Sequence, residues 1–141
     1  MSSFTKELIA TPLDDGKTWV IREEFYYDIG SKGSGDSVIV PVGFVTDFAS
    51  IPQIFWSLLP KWGPYGKAAI IHDYLYFSHN RTKKEADEIF YEGMLVLNVP
   101  KWKASLIYQC VHLFGESSYK KPGGRMMKLK DSYIQIRELE I

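Results

Sequence analysis

Two apolar helical stretches separated by a very short loop constrain this chain more than any other feature. The first, YGKAAIIHDYLYFS, ends near Ser78, and the second, RTKKEADEIFYEGMLVL, begins after Thr82. Thr82 and Glu85 have the spacing of a capping box, which marks the start of the second helix. So short a connection indicates an antiparallel helical hairpin. Residues equally distant from the loop are therefore expected to face each other.

The apolar run IIHDYLY in the first helix contains an adjacent histidine and aspartate, His72 and Asp73. Tyr76 lies one turn after His72 on the same face, and Asp87 lies about one turn into the second helix. We predict that His72, Tyr76 and Asp87 meet between the helices. Such a group can be a proton-transfer pair, half of a metal site or only a hydrogen-bonded polar group in the core. Asp73 points elsewhere and is available as a metal ligand or as a cap on a neighbouring loop.

The first third of the chain has strand character. Thr18 to Ile29 and Asp36 to Phe48 are rich in β-branched and aromatic residues, and a glycine-serine loop joins them. A long antiparallel hairpin is predicted, with its second strand interrupted by Pro41 and Gly43.

Further helices are predicted on either side of the helical hairpin. ASIPQIFWSLLP forms a short helix that begins at Ser50, and VPKWKASLIYQCVHLFG forms a longer one with Pro100 near its first turn and Gly115 as its C-terminal cap. GESSYKKPGGRMMK is expected to be a long basic loop, and Ser132 to Ile141 to return as a strand. The predicted class is α+β: a small antiparallel sheet, made of the N-terminal hairpin and the C-terminal strand, packed with a three-helix unit in one domain over residues 1–141.

Charge and composition narrow the function. Lys plus Arg equals Asp plus Glu at 17 each, so we expect no nucleic-acid partner and no net attraction to an anionic membrane. The single Cys110 cannot form an internal disulfide, and the N-terminus lacks the pattern of a signal peptide. No apolar segment approaches the roughly 20 residues of a transmembrane helix. Synthesis in the cytoplasm is expected.

HDYLY followed by ADEIF resembles the signature of secreted, viral-capsid and bacterial phospholipases A that cleave the sn-2 ester. The resemblance implies that His72 is a base that activates water, Asp73 a calcium ligand, Asp87 the carboxylate that orients the histidine, and Tyr76 its partner. It extends only from Gly66 to about Met94. The glycine-rich calcium loop of that family lies well upstream of the histidine, whereas WGPYG lies almost against it, so we expect no cofactor or only weak Ca²⁺ binding.

A broader resemblance extends from Val40 to about Gly115. VPVGFVTDFASIPQIFWSLLPKWGPYGKAAIIHDYLY, EADEIFYEGM and VPKWKASLIYQCVHLFG are similar to the uncharacterised family of phage and prophage proteins known as domain of unknown function 1353. The resemblance implies a tailed-phage or prophage gene, and it draws attention to TDFAS, Thr46 to Ser50, as a second polar motif.

The remaining candidate residues have structural alternatives. Asp47 and Ser50 are binding candidates, but their positions favour capping of the short helix and ordering of the turn over a role as acid and nucleophile. A Ser50, His72, Asp87 triad lacks the glycine-flanked elbow of serine hydrolases. Trp62 and Tyr65, beside glycines and a proline, could line a groove. The other aromatic residues, including Trp102 and Phe114, are expected in the core or at an interface. His79 and His112 are expected on a loop surface and on a helix face.

Two functional classes remain. The first is a phage hydrolase that uses His72 and Asp87 on a lipid ester or a cell-envelope bond. The second is a non-catalytic phage protein, either a virion or tail component or a binder of a host factor, in which the HD motif is structural. Exposed strand edges and the basic segment KKPGGRMMK would provide docking surfaces for the second. An open cleft at His72 would favour chemistry, and full burial would favour a scaffold.

Overall fold

The computed structural model describes residues 3–4, 7–13, 18–30, 33–46, 66–122 and 124–126. In these segments short strands and helices form an α+β architecture, as predicted. The strands are β1 (Ser3–Phe4), β2 (Ala10–Pro12), β3 (Trp19–Ile21), β4 (Phe25–Asp28), β5 (Ser37–Val40), β6 (Phe44–Thr46) and β7 (Arg125–Met126). The helices are α1 (Gly66–Ser78), α2 (Lys83–Val96), α3 (Lys101–Phe114) and α4 (Glu116–Lys120).

The predicted hairpin is present, but it bends so that its two halves belong to two antiparallel sheets. Near its tip β4 pairs with β5, in a sheet of order β1-β4-β5, and farther out β3 pairs with β6, in a sheet of order β2-β3-β6-β7. The bend lies between Pro41, which has no N–H to donate, and Gly43, whose φ of 92° is left-handed. The Gly43 N–H still donates to the Ile21 carbonyl at 2.8 Å, which keeps the arms joined.

Several short elements differ from the sequence prediction. The expected basic loop contains α4 and also β7, which pairs with β6. The prediction of an uninterrupted loop was therefore wrong. β1 and β2 were not predicted, since strands of two or three residues carry no alternating pattern. The predicted strand at Ser132 to Ile141 and the short helix of ASIPQIFWSLLP lie outside the described residues.

The helix boundaries follow the local signals in the sequence. Both halves of the capping box form: the Glu85 N–H donates to Thr82 Oγ1, and the Thr82 N–H donates to Glu85 Oε1, each at 3.2 Å. α3 begins directly after Pro100, and the Gly115 N–H closes its last turn on the Val111 carbonyl at 2.8 Å. The predicted helical hairpin and the third helix are confirmed.

α1 is the central helix, because it contacts α2, α4 and strands of both sheets. Most of its residues are buried, and its apolar side chains pack with those of the sheets and of α2 and α3. The largest fully buried apolar side chains include Phe25, Tyr27, Phe44, Ile70, Ile71, Leu75, Phe90, Met94 and Ile107. Burial of each contributes roughly 1.5 to 3 kcal/mol of transfer free energy. The polar residues of α1 are thereby carried into the interior.

Candidate functional site

His72, Tyr76 and Asp87 meet between α1 and α2, as the hairpin spacing predicts. His72 Nε2 lies 2.8 Å from Asp87 Oδ1, and the Tyr76 hydroxyl donates to the same oxygen at 2.6 Å. The prediction that His72 contacts Asp87, directly or through Tyr76, is confirmed, and the contact is direct. All three residues are buried, with His72 and Asp87 at 0% exposure.

Lys83 completes the arrangement at the other carboxylate oxygen. Its Nζ donates to Asp87 Oδ2 at 2.8 Å and to the carbonyls of Val111 and His112 at 3.0 and 2.9 Å. An ammonium group has three hydrogens, and these contacts employ all of them. Lys83 lies in the first turn of α2, where the helix dipole disfavours a cation, but its charge reaches the end of α3, where the dipole favours one. We call Asp87, His72, Tyr76 and Lys83 the Asp87 cluster.

Lys83 was not among the residues that the sequence singled out. Its spacing of four residues from Asp87 is a signal for a pair on one helix face. Nothing in the sequence indicated that α3 would present its terminal carbonyls to the same ammonium, since that contact depends on tertiary packing. His112, on α3, places its Nδ1 3.7 Å from Asp87 Oδ2, beyond hydrogen-bond distance.

The environment determines the protonation of the cluster. Burial alone would raise the pKa of Asp87, but the hydrogen bonds from His72, Lys83 and Tyr76 together hold this pKa below its ordinary value. Burial lowers the pKa of His72, and the opposing effect of Asp87 does not outweigh it. An ionised carboxylate only accepts hydrogen bonds, so Nε2 of the neutral imidazole carries the proton. The lone pair of the ring then lies on Nδ1.

The imidazole of His72 is enclosed by aromatic rings. It stacks on Phe90, with ring centres 4.5 Å apart, and lies 4.1 Å from the ring centre of Tyr76. Two clefts are lined by described residues, with volumes of about 360 and 270 Å³. No member of the Asp87 cluster lines either cleft. The first is lined by Glu88, Tyr91, Ser105, Tyr108 and Gln109, and the second by Ser37, Val38, Ile39, Tyr74, Leu75, Asn80 and Arg81.

Asp73 lies on another side of α1 and contacts the end of β6. It is 1% exposed, and its Oδ2 accepts a hydrogen bond from Thr46 Oγ1 at 2.5 Å. Calcium requires six to eight oxygen ligands, and a buried carboxylate bonded to a hydroxyl does not by itself supply such a set. Within the described segments no three His, Cys, Asp or Glu residues are grouped as a metal site would need. Asp73 and the other described residues therefore do not by themselves supply the calcium site that the phospholipase resemblance implies.

The contact with Thr46 joins the two polar motifs of the sequence, TDFAS and HDYLY. The remaining binding candidates, Asp47, Ser50, Trp62 and Tyr65, lie outside the described residues.

Three other singled-out residues are at the surface. His79 is exposed and stacks on Tyr119. Trp102 and Phe114, expected in the core or at an interface, are 64% and 72% exposed, which excludes a core position.

Comparison of the sequence with known protein families identifies a match. A family model described as "Protein of unknown function (DUF1353)" matches residues 19–111, which include α1, α2, most of α3 and the paired arms of the hairpin. The chain belongs to the DUF1353 family. No solved structure matches it.

Two relatives of this DUF1353 chain are proteins of Sinorhizobium fredii. Uncharacterized protein y4jT is 45% identical over 78 residues, covering 54% of this chain and 23% of the relative. Uncharacterized protein y4iH is 40% identical over 81 residues, covering 55% of this chain and 34% of the relative. The chain thus matches about a quarter to a third of the length of these relatives.

Proposed function

We propose that this DUF1353 chain is a non-catalytic interaction protein of phage or prophage origin, in which the Asp87 cluster holds the helices together. The observation that carries the proposal is the complete burial of His72. A general base must come within hydrogen-bond reach of the proton that it removes. The rings of Phe90 and Tyr76 pack against the imidazole, with ring centres 4.5 and 4.1 Å away, so this buried side chain is held as a packed core residue is.

The hydrogen bonds of the cluster support a structural role, because they join three helices: α1 and α2 meet at the Asp87 carboxylate, and Lys83 links that carboxylate to the end of α3. α1 contributes His72 and Tyr76, α2 contributes Asp87 and Lys83, and α3 contributes two backbone carbonyls. Hydrogen bonds to charged groups contribute about 1.5 to 3 kcal/mol each, and loss of one partner leaves the others unsatisfied. Such a centre fixes how the helices pack, and it needs no substrate.

The phage context and the partners extend this proposal beyond the family assignment. The resemblance between Val40 and Gly115 supports a phage or prophage gene, with phage tail proteins, virion proteins or a host factor as partners. Under this proposal the protein is made in the host cytoplasm and either joins the virion or acts there on a host factor. Of the described helices, none is long and apolar enough to cross a membrane.

A hydrolase is the second candidate, and the orientation of His72 favours it. Nε2 donates to Asp87, so the basic lone pair lies on Nδ1, on the opposite side of the ring. A carboxylate that orients an imidazole in this way is the arrangement of a histidine general base. The substrate would be a phospholipid ester or a bond of the cell envelope, as the phospholipase resemblance implies.

Two substitutions of His72 separate the candidates. His72→Leu removes the hydrogen-bond donor, whereas the amide of His72→Gln can still donate to Asp87 but cannot act as a base. His112→Leu is the matched control, because its side chain is 45% exposed. Thermal melts of the variants are compared with a hydrolysis screen of the unmodified protein on phospholipids and peptidoglycan.

The structural proposal predicts that His72→Leu melts about 3 to 10 °C lower, since the buried carboxylate loses one of its three donors at a cost of roughly 1 to 3 kcal/mol. His72→Gln should lose less, His112→Leu should change little, and the screen should detect no hydrolysis. Hydrolysis that is abolished by His72→Gln without a change in melting temperature would overturn the proposal and establish the hydrolase.

A further inference from the structure

The solvent-facing side of α3 carries large apolar side chains in a regular pattern. Trp102, Leu106 and Leu113 are 64%, 42% and 68% exposed. Buried Ala104, Ile107 and Val111 define the opposite face. With about 100° between successive helical residues, the three exposed side chains fall on one line directly away from the core. We call Trp102, Leu106 and Leu113 the α3 stripe; exposed Phe114 follows at its end.

The segment that carries the stripe is basic in sequence, although the chain as a whole is neutral. Residues 101–126 contain five Lys or Arg and one acidic residue, Glu116. Residues 1–100 have the opposite bias, with nine basic and thirteen acidic residues. On α3, Lys101 and Lys103 project to the two sides of the stripe. The absence of a net charge, from which we expected no attraction to an anionic membrane, therefore coexists with a cationic bias in the segment that carries the stripe. The acidic Glu88 of α2 lies on one flank of α3, where it lines a cleft with Ser105, Tyr108 and Gln109.

We propose that the α3 stripe docks on an anionic lipid surface, with its apolar side chains in the headgroup region and the flanking lysines against the lipid charges. A helix face that combines Trp and Leu with adjacent Lys residues is the pattern of helices that lie in a bilayer interface. Long lysine side chains can lay their methylene stems beside the apolar stripe and extend their ammonium groups toward phosphate. The inference names a partner for the interaction role proposed above and rests on that role.

Two other occupants of the stripe fit less well. A second copy of the chain would bring two surfaces of the same positive charge together, which electrostatic repulsion opposes. An acidic protein partner would match the charge, but side chains that project from a convex helix suit insertion into a soft interface better than they suit a preformed groove.

Sedimentation with lipid vesicles tests the proposal on the whole chain. The vesicles are phosphatidylcholine alone, or phosphatidylcholine with about one third phosphatidylglycerol, at low and high salt. The test variant is Trp102→Ser combined with Leu113→Ser. The matched control is Ile39→Ser, which removes an exposed apolar side chain from β5. A second variant, Lys101→Ala with Lys103→Ala, tests the charge, and thermal melts confirm that each variant is folded.

The expected result is binding to the anionic vesicles that falls at least about tenfold in the stripe variant and in the lysine variant, and about tenfold at high salt. Ile39→Ser should bind like the unmodified protein. Absence of binding to anionic vesicles, or equal binding by the stripe variant, would overturn the proposal. The proposal would also be overturned if the unmodified protein were a dimer and the stripe variant a monomer, or if the protein bound soluble polyglutamate but not vesicles.

The lipid-docking proposal and the proposed structural role of His72 can fail independently of each other. The stripe variants leave the Asp87 cluster unchanged, and His72→Leu leaves the stripe unchanged. Vesicle binding by His72→Leu, measured below its melting temperature, should therefore equal that of the unmodified protein.

Discussion

At the scale of single residues, a carboxylate that stays ionised in the interior organises the candidate site. Asp87 is buried, and three donors on two helices compensate it: His72 and Tyr76 at one oxygen and Lys83 at the other. The pairing with Lys83 balances the charge, and the neutral imidazole adds a donor without adding a second cation. This compensation explains His72 and Tyr76 in the apolar helix α1, whereas Asp73 pairs with Thr46 instead.

Acid pH should destabilise the protein through His72. Burial lowers the pKa of His72 from its ordinary 6.5. Near pH 6.5 the histidine therefore binds a proton in the unfolded chain but stays neutral in the folded protein. The stability associated with the neutral His72 is fully present above about pH 6.5 and is lost as the pH falls toward the lower pKa of the folded state. The free energy of unfolding then changes by at most about 1.4 kcal/mol per pH unit. The lowered pKa of Asp87 adds stability that is present above its ordinary 3.8 and is lost below it.

Thermal melts from pH 8 to pH 5 measure this dependence. The difference in stability between the unmodified protein and His72→Leu should shrink as the pH falls below about 6.5, because only the unmodified protein has a buried histidine whose pKa is lowered by folding. In His112→Leu the stability should depend on pH as steeply as in the unmodified protein. A His72→Leu variant with the same pH slope as the unmodified protein would show that His72 is not the titrating group.

At the scale of elements, the ends of the helices bring the cluster together. The capping box begins α2 at Thr82, which sets Lys83 and Asp87 in register with His72 and Tyr76 across the loop. Gly115 ends α3 beside the same cluster. A Cβ built at Gly115 would lie 2.4 Å from the Val111 carbonyl oxygen and 2.8 Å from the Tyr76 hydroxyl. Glycine is required there by close approach, since its φ of −84° is ordinary.

A pair of glycine substitutions tests this packing. Gly115→Ala should lower stability by roughly 1 to 3 kcal/mol, because a backbone oxygen cannot yield as a flexible side chain would. Gly93→Ala is the control: a Cβ in the middle of α2 would meet Ala68 and Phe4 at ordinary distances of 3.5 Å. The control should be neutral or gain up to about 1 kcal/mol in helix propensity. Urea unfolding measures both, and equal effects would contradict the claimed close approach.

Local signals allowed prediction wherever they were strong. The hairpin of strands, the capping box, the cap at Gly115 and the contact of His72 with Asp87 all follow from spacing or from turn and cap residues. Local signals could not predict the role of Lys83, strand β7 or the bend into two sheets. Each depends on contacts between segments that are distant in sequence. The contact of Thr46 with Asp73 belongs to the same class, since 27 residues separate the partners.

At the scale of the whole molecule, the helices and strands share one interior in the described segments. α1 contacts β5, β6 and two other helices, and Tyr27 on β4 donates a hydrogen bond to Glu92 on α2 at 2.7 Å. Arg81, in the loop between α1 and α2, forms an ion pair with Asp36 beside the hairpin tip. These contacts join the helices and strands of the described segments, and one domain over residues 1–141 stays a prediction. They also imply that weakening the Asp87 cluster should destabilise the sheets together with the helices.

Urea unfolding of Asp87→Asn tests the central claim, that the Asp87 cluster is the structural centre of the fold. The neutral amide weakens the bonds to His72, Tyr76 and Lys83. Its NH2 group must point either at Lys83, which can only donate, or at His72 and Tyr76, which both donate to the carboxylate in the unmodified protein. The account predicts a loss of about 2 to 4 kcal/mol in the free energy of unfolding. Glu88→Gln, the same change at the exposed next residue, should cost less than about 0.5 kcal/mol. Equal stability of the two variants would contradict the account.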